Sequence, residues 1–271
     1  FSFGEFKPEF PGVAEPRTGK SMGESCEDMA KTWQISREDQ DRLAYESHQK
    51  AAAAYARGFY SDLVMPFCDL DKDNILRPDT SLEKLATLKP AFDKRSGKGT
   101  LTAGNSTNLS DGASVALLSS EQWAHDNNQE IQAYLVDAQV AAVDFVAGEG
   151  LLMAPAWAVA QLLKRNNLSL QDFDFYEIHE AFAAQVLCTL KAWESEEFCT
   201  TKLGMDGALG AIDRSKLNVV GSSLALGHPF AATGARIVAT AAKLLKEKGQ
   251  GRVLISICTA GGMGVAAIVE R

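Results

Sequence analysis

A chain of 271 residues with 46% hydrophobic and 23% charged residues has the balance of a folded protein with a sizeable core, not of a disordered one. Its 27 Lys and Arg against 35 Asp and Glu leave a net charge of −8, which argues against general nucleic-acid binding, where a basic surplus drives counterion release. Five cysteines, an odd number with no CxxC pair, do not read as a disulfide framework or a zinc site, and no window approaches the ~18 apolar residues of a membrane span.

The opening Phe1-Ser2-Phe3-Gly4 has neither an initiator Met nor a signal-peptide pattern, so a processed or truncated chain is expected. The stretch to about Pro16 is rich in Pro, Phe and Gly and reads as a lead-in loop. From Gly23 the pattern turns helical, with Cys26, Met29, Ala30 and Trp33 on one apolar stripe. A second helix follows, opened by the capping-box-like spacing of Ser36 and Asp39, favoured by Ala51 to Ala54 and stopped near Gly58. Residues 61–99 read as loop with short elements. Between Asp71 and Thr100 seven basic residues face five acidic ones, a local surplus that suits a small polyphosphate ligand and equally suits an ordinary solvated face.

From Ala124 onward helices and strands alternate, the order of an α/β fold. A helix is expected over Ala154–Lys164 and a strand over Phe173–Ile178, followed by a helix from Glu180. A strand is expected to begin at Asn218–Gly221, a long helix at Ala231–Lys248, and a buried strand at Arg252–Ile257. An internal echo links Thr102-Ala103-Gly104, ahead of a strand at Ala113–Leu118, with Thr259-Ala260-Gly261, ahead of a strand at Val265–Val269. The two lie 157 residues apart and suggest two related halves, with only the tail of the first one present.

Three side chains stand just past strands at small-residue turns, where α/β sheets build active sites. His179 leaves a strand ahead of a helix, a place that keeps imidazole neutral and favours anionic ligands. A helix-capping or core role suits it as well. His228, in Gly227-His228-Pro229, precedes a helix whose Ala231, Ala232, Gly234 and Ala235 allow close packing. There a His can take a thiol proton or help hold an oxyanion; the bland alternative is a plain turn. Cys258 ends a strand beside Gly-rich backbone, where a lowered pKa would make it a proton shuttle and burial would make it a small hydrophobe. The glycines after it do not fit GxGxxG and lead into a strand, so no dinucleotide fingerprint is present. Cys26, Cys68, Cys188 and Cys199 read as inert, and no pair among His179, His228 and Cys258 has metal-ligand spacing.

His179-Glu180-Ala181-Phe182-Ala183-Ala184-Gln185, Gly227-His228-Pro229 and Cys258-x-x-Gly261-Gly262 together resemble the thiolase family. Met22-Gly23, Lys89-Pro90-Ala91-Phe92-Asp93 and Thr102-Ala103-Gly104-Asn105 extend the likeness from about Ser21 to Arg271. His179, where many thiolases carry Asn, together with the run after His228, looks like the thiolase subunit of β-oxidation multienzyme complexes, the trifunctional-protein β-subunit type. The resemblance implies a layered αβαβα fold with the second half complete and most of the first half missing. It implies a coenzyme-A-binding loop domain over 1–99, the last strand region of the N-terminal half over 100–122, and the C-terminal half over 123–271.

The same resemblance implies thiolysis of 3-ketoacyl-CoA or the reverse Claisen condensation, with coenzyme A as substrate and no permanently bound cofactor. His228 would activate the thiol, His179 would serve the oxyanion site, Cys258 would shuttle a proton, and the Ala260 backbone N–H would line a second oxyanion hole. Met22, Arg77, Ala103, Gly104, Thr107 and Phe182 would meet coenzyme A. The family's nucleophilic Cys, in a Cys-Ser/Ala-small-Gly turn, has no counterpart in this sequence. The chain alone would then be inactive or act as a silent coenzyme-A-binding or assembly chain. A ketoacyl synthase with two His is disfavoured by Cys258 in its Gly-rich turn. A homo-oligomer or a complex with a hydratase/dehydrogenase subunit is expected, in the bacterial cytoplasm or, alternatively, the mitochondrial matrix.

Overall fold

A computed structural model describes residues 12–271; the first eleven residues of the expected lead-in loop lie outside the described residues. Helices α1 (Met22–Thr32) and α2 (Arg37–Ala56) begin at Ser21 and Ser36, each of which accepts a backbone N–H through its side chain. At Ser21 the bond is reciprocated by Glu24, a full capping box that the sequence reading passed over. Cys26, Met29 and Ala30 are buried as the apolar stripe required, and Trp33 is partly buried against them. Between residues 61 and 99 the chain is loop, apart from α3 (Leu82–Ala86).

After α4 (Glu121–Asp126), strands β1 (Tyr134–Ala142), β2 (Phe175–Ile178), β3 (Arg252–Thr259) and β4 (Met263–Glu270) form one sheet in the order β1-β4-β3-β2. β2 and β3 run parallel, whereas β4 pairs antiparallel with both β1 and β3. Side chains alternate across the sheet. Val253, Ile255, Ala267 and Val269 pack on Ile237, Ala241 and Leu245 of α9 (Thr233–Lys248). Leu254, Ala266 and Ile268 point the other way, into the main core with Ala156, Val159 and Leu162 of α5 (Ala154–Asn166). Behind α5 lies α6 (Ala183–Glu194), buried nearly all round and packed against α1, α2, α5 and α7 (Glu196–Thr201). Such a helix has little solvent face to be polar on, which is why it is mostly apolar, with Lys191 and Glu194 as its exposed residues. The described strands and helices form three layers, α/β/α, with α1 and α2 against the inner helix.

Three local expectations are corrected. Ala113–Leu118 forms no strand: it is unpaired, and Val115, Leu117 and Leu118 are 88%, 69% and 69% exposed. A strand needs a neighbour for its backbone groups, and no described strand lies beside it. Asn218–Gly221 is a turn. Leu217 makes one parallel bridge to Tyr176, and Asn218, at φ 45°, then bends the chain away. Its carboxamide completes the pairing, accepting from Ile178 N at 2.8 Å and donating to Ile178 O at 2.9 Å. Finally, α6 starts at Ala183 instead of Glu180, because Phe182 is extended and bridges Ser106.

At Gly221 the chain runs at φ 78°, and a Cβ there would lie 2.5 Å from the Ala51 methyl and 2.7 Å from the Ser47 carbonyl. Gly221→Ala therefore combines backbone strain with a clash between the turn and α2. It is expected to lower unfolding stability by about 2–4 kcal/mol in urea titrations.

Candidate active site

The site forms where β2 and β3 end. His179 follows β2 and is fully buried; its backbone N–H donates to Ser256 O of β3 at 2.9 Å. Its Nδ1 lies 2.7 Å from Ser223 Oγ in the short helix α8 (Ser223–Leu226), and its Nε2 is buried with no partner. The imidazole pKa is well below its ordinary value, first because burial disfavours the charged ring, then because His228 and Arg236 are near. Burial, and not the helix end expected from the sequence, keeps His179 neutral: α6 begins four residues later.

His228 is half-buried, and its ring centroid lies 4.2 Å from that of His179. The Thr233 hydroxyl donates to Pro229 O at 3.2 Å and accepts from His228 Nδ1 at 2.7 Å, so the free Nε2 carries a lone pair. Burial, with a smaller contribution from Arg236, also lowers the His228 pKa, leaving the ring a neutral base at pH 7. The turn to α9 contains Ala231 at φ 66°, and α9 starts at Thr233, two residues later than expected.

Segment 105–110 walls the pair. Ser106 bridges Phe182, Thr107 N donates to Ala181 O at 3.1 Å, and Leu109 bridges His228. Thr107 Oγ1 donates to Ser223 O at 2.8 Å, and Phe182 meets Phe92 edge-on at 5.8 Å. Leu109, Ser110, Asp111, Gly112, His228, Pro229 and Phe230 line an open hollow of about 410 Å³. A larger hollow of about 570 Å³ around Phe92, Lys94 and Arg95 shares no lining residue with it. Of the two histidines, His228 lines the smaller one.

Cys258 ends on the same sheet edge, opposite Gly264, and is buried in the main core. Burial pushes its thiol up to about 12, which corrects the lowered pKa expected from its turn. Cys26 and Cys188 are buried with raised pKa as well, and Cys68 is exposed. Ala260 is exposed in the turn joining β3 to β4. Met22 packs at the rim of the main core, Gly104 lies against Leu85 and Leu88, and Ala103 is exposed. Arg77 is exposed, its guanidinium donating to Asn74 O and Leu76 O. The structure thus joins His179, His228, Thr107 and Phe182, while no hydrogen bond links Arg77 or Ala103 to them among the described residues. Of the seven basic residues between 71 and 100, Lys84 alone forms an ion pair among the described residues. Groups of His, Cys, Asp and Glu able to hold a metal are absent among the described residues.

Sequence reasoning missed the polar groups behind the imidazoles. Glu180 is buried and accepts from Ser47 Oγ and Asn218 Nδ2, both at 2.7 Å, and from Leu224 N at 3.1 Å. Arg236 Nη2 donates to Ser223 Oγ at 2.8 Å. Glu177, alone among apolar neighbours in β2, is buried with both carboxylate oxygens unpartnered. The one available signal was an acid inside an apolar strand run.

The fold and site define an α/β protein with two neutral imidazoles at the C-terminal edge of parallel strands. Family models match over most of the chain: "Thiolase, C-terminal domain" at residues 129–271 and "Thiolase, N-terminal domain" at residues 7–122. The chain belongs to the thiolase family. It is 46% identical over 269 residues to a 3-ketoacyl-CoA thiolase of Shewanella baltica, covering 97% of this chain and 61% of that protein. A 3-ketoacyl-CoA thiolase of Yersinia enterocolitica is 44% identical with the same coverage. The chain therefore spans about three-fifths of the length of the curated relatives it matches. The crystal structure of the Bacillus anthracis acetyl-CoA acetyltransferase superposes with a TM-score of 0.80 at 34% identity, covering 98% of this chain and 66% of that one.

Two outcomes test the local physics. Burial raises the Glu177 pKa to about 8, against an ordinary value of 4.5. Between these values the folded chain holds a proton that the unfolded chain has released, so stability falls as pH rises from 4.5 to 8. Glu177→Gln is expected to match the parent near pH 4.5 and exceed it by about 2–4 kcal/mol at pH 9 in urea titrations. Ala231→Gly, which removes a side chain at positive φ, is expected to raise the unfolding free energy by about 0.5–1 kcal/mol in the same titrations.

Proposed function

We propose that the chain is the greater part of an acyl-CoA thiolase, cleaving 3-ketoacyl-CoA with coenzyme A or running the reverse condensation. The observation that carries this reading is the imidazole pair 4.2 Å apart, one ring fully buried and one at the mouth of the hollow. His228 then takes the thiol proton through its free Nε2. His179 offers a hydrogen bond to the thioester oxygen. Cys258, protonated in its buried setting, serves as the acid end of a proton shuttle rather than as a resting thiolate. Thr107 and Phe182 flank the pantetheine arm, with Met22, Ala103 and Gly104 further along, and Arg77 meets the nucleotide phosphates from the loop whose Ile75 lies against Gly227. The Ala260 backbone N–H lines the second oxyanion position.

The acyl acceptor is the missing piece. The four other cysteines lack the family's nucleophile turn, and the unpaired 113–118 segment reads as a strand whose sheet neighbour belongs to the rest of the N-terminal half. On this reading the chain divides into a loop domain over 1–99, a strand tail over 100–122 and the C-terminal half over 123–271. His179 in place of Asn favours the β-oxidation-complex type of thiolase, acting as an oligomer or with a hydratase/dehydrogenase subunit. The bacterial relatives favour a bacterial cytoplasm.

A second reading, a silent coenzyme-A-binding or assembly chain, is favoured by the same absence of a nucleophile. Both readings predict coenzyme A binding by calorimetry and no thiolysis by the 271-residue chain alone. Co-expression with the remaining segment of a relative separates them: turnover appears under the first reading only, and His228→Ala then lowers kcat about 10²–10⁴-fold. Turnover by the chain alone, lost in Cys258→Ala, would overturn the assignment of a missing nucleophile.

A further inference from the structure

The hydrogens behind His179 can be assigned from donor chemistry alone. Arg236 has only donors, so its 2.8 Å contact makes Ser223 Oγ an acceptor there. The second contact of Ser223 Oγ is His179 Nδ1, at 2.7 Å. A hydroxyl has one proton, and Ser223 is fully buried, so that proton needs an acceptor inside the protein. Only one arrangement satisfies all three groups: Arg236 donates to Ser223, and Ser223 donates to Nδ1. In the reverse arrangement, with Nδ1–H donating to the serine, the hydroxyl proton would be buried with no acceptor.

The ring is neutral in its buried place, so if Nδ1 accepts, the ring proton resides on Nε2. That nitrogen is the one buried imidazole atom left without a partner, and it belongs to the ring against His228. We infer that Arg236 and Ser223 are positioning residues that hold His179 as its Nε2–H tautomer, presenting one unpaired donor to a ligand oxygen beside the His228 base. Reading that oxygen as the carbonyl of a thioester rests on the proposed thiolase function; the tautomer itself does not. The two rings are then held in opposite states by their hydroxyl neighbours. Thr233 accepts from Nδ1 of His228 and frees a lone pair, while Ser223 donates to Nδ1 of His179 and frees a proton.

Histidine-selective ¹⁵N labelling of the 271-residue chain tests this, because it contains only His48, His125, His179 and His228. Long-range proton–nitrogen correlations at neutral pH report which nitrogen of each ring carries the proton, with His228→Asn and His125→Gln used for assignment. The expected pattern is Nε2–H for His179, retained in Ser223→Thr and lost to a tautomer mixture in Ser223→Ala and Arg236→Met. An Nδ1–H pattern in the parent chain overturns the inference whether or not any variant folds. An unchanged Nε2–H pattern in folded Ser223→Ala does so too. Calorimetric titration of the same chain with acetyl-CoA tests the underlying reading separately: no binding alongside an intact Nε2–H pattern would sink the thiolase reading and leave the positioning role standing.

Discussion

A single buried carboxylate holds the site together. Glu180 follows His179 directly and accepts from α2 through Ser47, from the turn after Leu217 through Asn218, and from the backbone of α8 through Leu224. Ser47 also receives Ser222 N at 3.1 Å, so the helix and the turn are tied on both sides of the acid. A buried carboxylate without such partners would cost several kcal/mol, and each bond here sets one element against another. Burial raises the Glu180 pKa while these bonds lower it. The acid therefore orients the chain around His179 without facing the hollow itself. Gly221 has no side chain because the turn it belongs to is drawn onto α2 by this same network.

Given that frame, the two imidazoles differ because their depths differ. His179 is enclosed by α8, segment 105–107 and the ends of β2 and β3, and is neutral. His228 lies on a turn with one open side and a strained Ala231 next to an exposed Phe230. A fully buried ring is suited to offering a fixed hydrogen bond, since its dipole needs no reorganisation when charge develops. A ring at the mouth is suited to exchanging a proton with a mobile thiol. Two chemically identical side chains thus differ in exposure and hydrogen bonding, set by what surrounds them.

The helices were legible because their signals are local. Ser36 ahead of Asp39, the Cys26–Met29–Ala30 stripe and Gly249 after Lys248 sit at ends and faces that the structure reproduces. The strands β3 and β4 were legible as apolar runs around Gly-rich turns, although both extend beyond the expected bounds. The errors all concern partners distant in sequence. Ala113–Leu118 has strand composition but no described neighbour to pair with, and Asn218 closes the sheet edge with a side chain, which no periodicity reveals. At the site, His179, His228 and Cys258 were singled out from their turns, and the structure brings the two imidazoles together. Ser223 and Arg236 were not, because they gain meaning only when helices 44 residues beyond His179 and 13 residues beyond Ser223 bring them behind its ring, nor was Glu177, a lone acid in an apolar strand.

Cys258 shows how context reverses a motif's ordinary reading. Beside free backbone N–H groups, a strand-end thiol is expected to ionise readily. Here the same strand end is roofed by the main core, and desolvation outweighs the backbone dipoles, leaving the thiol protonated well above neutrality. A protonated thiol cannot attack, but it can give up its proton once a neighbouring thiolate or enolate makes transfer downhill. Both imidazoles are thus held neutral and the thiol protonated, in each case chiefly by burial.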